Sequence, residues 1–232
     1  MDEKETLDFI LKKYEIDLAQ RRRMPIDIPG YASRRELARL FGELGLKVGV
    51  EIGVESGAYS EIICAENPGV KHFAIDPWKT YRGYRDHVDQ KKIDGFYETT
   101  KARLAPYGAT LVKKFSLDAV KDFADGSLDY VYVDGNHNFQ NCTNDIVEWS
   151  KKLRYGGILA GHDFVVHRQP THMHVVEVVM GYTSAYGISP WFVIGGHSNR
   201  DAPGRTDMGD QSRSFFWVNA PMPRLRKGSW HQ

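Results

Sequence analysis

Val50-Glu51-Ile52-Gly53-Val54-Glu55-Ser56-Gly57-Ala58-Tyr59-Ser60 is the stretch whose reading decides the fold. It starts in a short apolar run, residues 48–52, and passes through two glycines into a helical pattern over 59–66. Strand, tight turn and helix in that order form the first unit of an open α/β sheet, where ligands bind at the carboxyl ends of the strands. Gly53 and Gly57 let the backbone turn tightly and admit a ligand with no Cβ in the way. A diphosphate site calls for a third glycine in a G-x-G-x-x-G pattern, or for a closing Lys-Ser/Thr. Neither is present. The loop opens instead with the acidic Glu51, which suits a ligand carrying cationic groups and hydroxyls.

Outward from this loop, short runs rich in β-branched and aromatic residues recur at 72–76, 109–115, 128–134 and 158–162. Helical patterns separate them, at 89–104, 117–123 and 139–153. Such alternation predicts βαβ units and a parallel sheet covered on both faces. A further helix is predicted over 175–186, followed by strands at 191–194 and 215–218. No helical pattern lies between those two strands, so they read as an antiparallel pair joined by the polar segment 197–213. The predicted fold class is a doubly wound, mostly parallel seven-stranded α/β sheet, Rossmann-like, ending in an antiparallel β-hairpin.

A chain of 232 residues suits one large domain. Leu7, Ile10, Leu11, Tyr14 and Leu18 have helical spacing, so residues 1–30 read as a helical extension that ends in a linker from Pro25 to Pro29. Ser33 and Glu36 read as a capping box opening the next helix, and the main domain spans 31–222. Residues 223–232 form a basic tail.

The formal charge of +1 argues against a nucleic-acid or membrane-surface protein. The basic clusters Arg21-Arg22-Arg23 and Arg224-Leu225-Arg226-Lys227 read as solvated surface. Cys64 and Cys142 form no CxxC or disulfide framework, and the N-terminus lacks the plan of a signal peptide. With no run of about 18 apolar residues to span a bilayer, the cytoplasm is the expected location.

Asp76 ends the second strand, at a spacing from the loop that lets a carboxylate accept both hydroxyls of a ribose. Together, Glu51-x-Gly53-x-x-x-Gly57 and Asp76 resemble the first two motifs of the class I S-adenosylmethionine-dependent methyltransferase superfamily. The resemblance covers about residues 35–220 and implies S-adenosyl-L-methionine as cofactor. It implies that the loop, with Glu51, Gly53, Val54, Ser56, Gly57, Tyr59 and Ser60, surrounds the amino-acid part of that molecule. Asp76 would hold the ribose, with Trp78 and Ser116 on the two sides of the adenine and Asp134 nearby.

Two polar pairs end the fourth and fifth strands, in Val133-Asp134-Gly135-Asn136-His137 and in Gly161-His162-Asp163. Between them, Asp145 and Trp149 share a helical face at i, i+4. The order Asp-Gly-x-His, helix, Gly-Gly-x-x-x-x-His-Asp resembles a subgroup containing many small-molecule and sugar O-methyltransferases. Metal-dependent relatives bind Mg2+ through acids at these strand ends, and Asp134 and Asp163 match them. His162 stands where their first acid of the second pair would be, a departure that matters because Mg2+ prefers an all-oxygen shell.

Methyl transfer to a hydroxyl needs in-line placement of the acceptor and removal of its proton. Imidazole is the commonest base near neutral pH, so His162 and His137 are the candidate bases, with Asp134 or Asp163 orienting a ring or binding a metal. The resemblance thus implies O-methylation of a small-molecule or glycan-type hydroxyl. The alternatives are an RNA or protein methyltransferase using the Arg clusters, and a non-catalytic module that binds S-adenosylmethionine. Residues 79–95, with Tyr81, Arg82, Tyr84, Arg85 and His87, and the segment 197–213 are the expected acceptor walls. No membrane or nucleic-acid partner is expected, and assembly into a homo-oligomer is left open.

Overall fold

Eight strands and seven helices are described in a computed structural model covering residues 1–20, 23–28, 34–82, 89–166, 172–195 and 212–221. The strands are β1 (Ile26–Ile28), β2 (Val48–Ile52), β3 (Lys71–Ile75), β4 (Thr110–Val112), β5 (Leu128–Val133), β6 (Leu153–Gly161), β7 (Phe192–Ile194) and β8 (Ser214–Val218). The helices are α1 (Glu3–Lys13), α2 (Arg35–Glu43), α3 (Ala58–Glu66), α4 (Gln90–Leu104), α5 (Ser116–Ala119), α6 (Phe139–Ser150) and α7 (Val175–Ala185). They build one sheet in the order β1-β7-β8-β6-β5-β2-β3-β4. All neighbours are parallel except β8, which runs antiparallel to both β6 and β7.

The predicted doubly wound sheet and its terminal hairpin are present, with one strand more than the seven predicted. The addition is β1, which pairs with β7 at the sheet edge. Its three residues lie between Pro25 and Pro29 and so carry no readable period; only Ile26 and Ile28 are buried. An edge position also explains the flanking prolines, since an edge strand leaves one side of its backbone unpaired.

α1 is capped by reciprocal bonds, Asp2 Oδ1 accepting from the Glu5 amide and the Glu5 carboxylate from the Asp2 amide, both at 2.9 Å. The N-cap of α2 is Arg34, without a side-chain cap, rather than Ser33; Ser33 lies outside the described residues. Also outside them are residues 83–88, with Tyr84, Arg85 and His87, residues 196–211, and the basic tail 222–232.

β5 shows why the sheet is two-sided. Val131 and Val133 point into a cluster with Ile146, Trp149, Trp191 and Trp217, under α6 and α7. Tyr130 and Tyr132 point the other way, among Leu37, Phe41, Ile63 and Phe216, under α2 and α3. A strand buried on both faces belongs to a parallel sheet flanked by helices. Among the described residues, no helix is long and apolar enough to cross a membrane. Cys64 and Cys142 are free and buried.

The second face holds a chain of polar groups behind the β2–α3 loop. Glu51 is buried and accepts a short hydrogen bond from the Ser60 hydroxyl. Ser60 in turn meets His72 Nε2 at 2.8 Å, and His72 Nδ1 meets the Tyr130 hydroxyl at 2.8 Å. Burial pushes the Glu51 carboxyl up to about 8, against the Ser60 hydrogen bond and the Arg34 charge, and pushes the His72 imidazole down to about 3.

A carboxyl raised in the folded state contributes stability that is fully present below its ordinary value near 4.5 and is lost as pH rises through about 8. Glu51→Gln cannot titrate, so relative to the parent it gains roughly 2–5 kcal/mol between pH 5 and pH 8.5. Urea unfolding at the two pH values measures this, and a difference that does not change with pH contradicts the buried neutral acid.

Candidate active site

β2 is where the sheet changes direction, with β3 and β4 on one side and β5 and β6 on the other. A crevice opens outside the carboxyl ends of the strands at such a switch point. Gly53 leaves β2 with φ +85°, and its amide donates to the Ile75 carbonyl at 2.9 Å. A Cβ there would lie 2.1 Å from the Asp134 carbonyl oxygen, so the loops after β2 and β5 touch backbone to backbone. Gly57 starts α3 with φ +77° and packs on Thr100.

The contact leaves a cleft of about 530 Å3, a usual size for a small-molecule site. Of the residues assigned above to the cofactor, Gly53, Asp76, Trp78, Ser116 and Asp134 line it, together with His137. Glu51, Val54, Ser56, Gly57, Tyr59 and Ser60 are not among its lining residues. Glu51 and Ser60 belong to the buried polar chain, and Val54 packs with Trp78, Ile93 and Leu104. The Ser56 carbonyl accepts from Arg103 at 3.0 Å, and Tyr59 lies under the Arg34 guanidinium, 4.6 Å from its ring centre.

Asp76 follows β3. Its Oδ2 accepts from the Glu55 amide at 3.0 Å and its Oδ1 from the Trp78 amide at 2.7 Å. Burial raises this carboxyl and the amides oppose the rise. Held by the amides of Trp78, Glu55 and Val54, the carboxylate is a fixed acceptor on the cleft wall.

Trp78 is only 1% exposed, and its indole N–H donates to the Glu55 carbonyl at 2.8 Å. Most of the ring is therefore spent on the interior. Apolar lining also comes from Ile93, Phe96, Phe115 and Leu117, with Tyr81 edge-on to Phe115 at 5.2 Å. Tyr81 and Ile93 belong to the wall expected at residues 79–95, whereas Phe96, Phe115 and Leu117 were not singled out in the sequence. Phe115 closed the strand predicted at 109–115; β4 stops at Val112, and the fold leaves Phe115 40% exposed at the N-cap of α5.

At the far end, four predicted residues and one unpredicted residue form an ionic cluster. His137 Nε2 is 3.0 Å from Asp163 Oδ2 and 3.4 Å from Asp134 Oδ1. His162 Nδ1 is 3.5 Å from Asp163 Oδ1 and 3.8 Å from Asp134 Oδ1. Arg34 adds a 2.7 Å bond to Asp134 Oδ2. Arg34 gave no motif signal, because it reaches the cluster from the start of α2, a hundred residues earlier in the chain.

Burial acts to raise both acids, yet His162, His137 and Arg34 hold Asp134 low, and His137 and His162 hold Asp163 well below the usual carboxylate range. Burial acts to lower His137, but its bonds to Asp134 and Asp163 push it up to about 10. Asp163 sits in the left-handed region at φ +56°, which turns its carboxylate back toward His137 and His162. Ligand atoms of Asp134, His162 and Asp163 lie within 4.8 Å of one another.

A family profile described as a methyltransferase domain matches residues 50–164, which contain the loop, Asp76 and both polar pairs. No curated protein matches the chain. Among solved structures, the cofactor-bound Rv0187 protein from MTB is 16% identical, with TM-score 0.56 over 94% of this chain and 91% of that one. The O-methyltransferase TomG from Streptomyces achromogenes, in complex with SAM, is 17% identical, with TM-score 0.55 over 83% of this chain and 84% of that one. An O-methyltransferase from Bacillus cereus, in complex with SAH, is 12% identical, with TM-score 0.55 over 92% and 90%. At these identities the likeness is one of fold. Residues 50–164 thus match a methyltransferase domain, in a chain whose sheet and switch-point cleft share the fold of these solved structures.

Proposed function

We propose that the chain methylates the hydroxyl of a small-molecule acceptor, with Asp76 holding the cofactor ribose and His162 removing the hydroxyl proton. The observation that carries this reading is the placement of the His137, His162, Asp134 and Asp163 cluster beside the cleft that Asp76 lines. The cofactor fits the residues present. Asp76 is an acceptor pinned by backbone amides, the walls near it are apolar and aromatic, and the glycine loop carries no lysine for a phosphate. When bound, S-adenosylmethionine supplies a methyl group activated by its sulfonium charge.

His137, pushed up to about 10, keeps its proton at neutral pH and acts with Arg34 as a fixed cation against Asp134 and Asp163. His162, the second imidazole of the cluster, is assigned as the base. Its Nδ1 faces both carboxylates, which stabilise the imidazolium as it forms.

Mg2+ does not fit this donor set. One of the three donors is an imidazole, and cationic side chains of the chain already engage both carboxylates. Proton removal is therefore assigned to side chains alone. The O-methyltransferases of similar fold support an oxygen acceptor. Tyr81 and Phe115, with Lys79, Arg82 and Lys114 around them, support a ring-bearing acceptor, glycan-type compounds included, with an acidic substituent.

By calorimetry the protein should bind S-adenosylmethionine, and Asp76→Ala should abolish binding; unchanged affinity would remove Asp76 from the cofactor site. His162→Asn should lower turnover by about 10²–10⁴ with cofactor affinity preserved. An equal loss of cofactor binding in His162→Asn would reassign His162 to a structural role. Turnover should stay within about twofold when Mg2+ or a chelator is added; a strict Mg2+ requirement would overturn the reading of the cluster.

A further inference from the structure

Asp145 has no part in the chemistry just described, yet it lines the same cleft. It lies on α6, one turn beyond Asn141, and is only 5% exposed. Its Oδ1 accepts from the Ser116 hydroxyl at 2.5 Å. Ser116 Oγ accepts in turn from Trp149 Nε1 at 2.8 Å. An indole N–H can only donate, so the one hydroxyl proton of Ser116 is committed to Asp145 and cannot serve a ligand.

The other oxygen, Oδ2, lies beside Gly135, 3.3 Å from where a Cβ would stand, so a glycine there keeps the approach to the carboxylate open. Phe115 and Leu117, the chain neighbours of Ser116, add apolar lining to the cleft. A nearly buried acceptor at an apolar cleft wall needs a donor from whatever fills the cleft.

With the ribose hydroxyls assigned to Asp76, the exocyclic amine is the strong hydrogen-bond donor left on the nucleoside. We propose that Asp145 accepts a hydrogen bond from the adenine amino group and is the residue that distinguishes adenine from a 6-oxo purine. This rests on the cofactor reading above. A 6-oxo base would turn a carbonyl oxygen toward the carboxylate, lone pair against lone pair. Ser116 offers no relief, because its proton already points at Asp145. Burial raises the Asp145 carboxyl to about 7, against the Ser116 bond, so the group is ionised and a full acceptor above pH 8.

The test is calorimetric titration at pH 8.5 with S-adenosylhomocysteine and with its deaminated analogue, S-inosylhomocysteine. The unaltered protein should prefer the adenosyl compound by roughly 10–100-fold, the range expected when a buried hydrogen-bonding group is left unpaired. Asp145→Asn keeps an oxygen for Ser116 and turns an NH2 donor to the cleft, so the preference should collapse or invert. Equal affinity of the unaltered protein for both compounds would overturn the proposal while leaving the cofactor site standing. So would an equal loss of both in Asp145→Asn, which would confine Asp145 to holding Ser116. Binding of neither compound to the unaltered protein would remove the cofactor reading as well. The comparison in the unaltered protein decides the matter even where the variant folds poorly.

Discussion

The backbone contact between Gly53 and Asp134 is the constraint on which the site depends. Two loops from adjacent parallel strands must leave the sheet at the same point and turn opposite ways, and a side chain at position 53 would occupy the Asp134 carbonyl. The contact sets the spacing between Asp76, one strand away on one side, and the Asp134 cluster on the other. The cleft is the space that remains between them. Ligand geometry in this fold follows from strand order before it follows from any side chain.

Behind that contact, the loop is held by groups that never reach the cleft. Glu51 follows the rule of an acid at the end of the first βα strand, but its carboxylate turns toward Ser60 and the inner face of α3. It acts on the site by fixing the direction in which α3 leaves Gly57. Tyr59 and Arg34 stack on the same side, and Arg34 then crosses to Asp134. The β2–α3 loop and the ionic cluster are thus joined through α2 as well as through Gly53.

Much of this was legible in the sequence, because βαβ alternation repeats a strong signal five times and parallel strands must be apolar throughout. What escaped lacked a period or a local partner. β1 is three residues between prolines, too short for alternation to register. Trp78 was legible as an aromatic residue near Asp76, but its burial depends on the Glu55 carbonyl and Tyr97, which pattern alone does not bring to it. Asp145 was legible as a neighbour of Trp149 on one helical face. Its relation to Ser116 needed α5 and α6 to be seen packed together.

Within the ionic cluster, two histidines of similar sequence context stand differently toward the same two acids. Asp134 and Asp163 carry two negative charges, and Arg34 and protonated His137 match them, so the set is close to neutral before any reaction. His137 reaches both carboxylates with a single nitrogen and gains from each, so losing its proton would leave an acid on either side undercompensated. His162 meets the same two acids at longer range, 3.5 and 3.8 Å, and also helps to hold Asp163 low. The two rings thus differ by distance within one cluster, His137 bonded to both acids at 3.0 and 3.4 Å and His162 standing further from each.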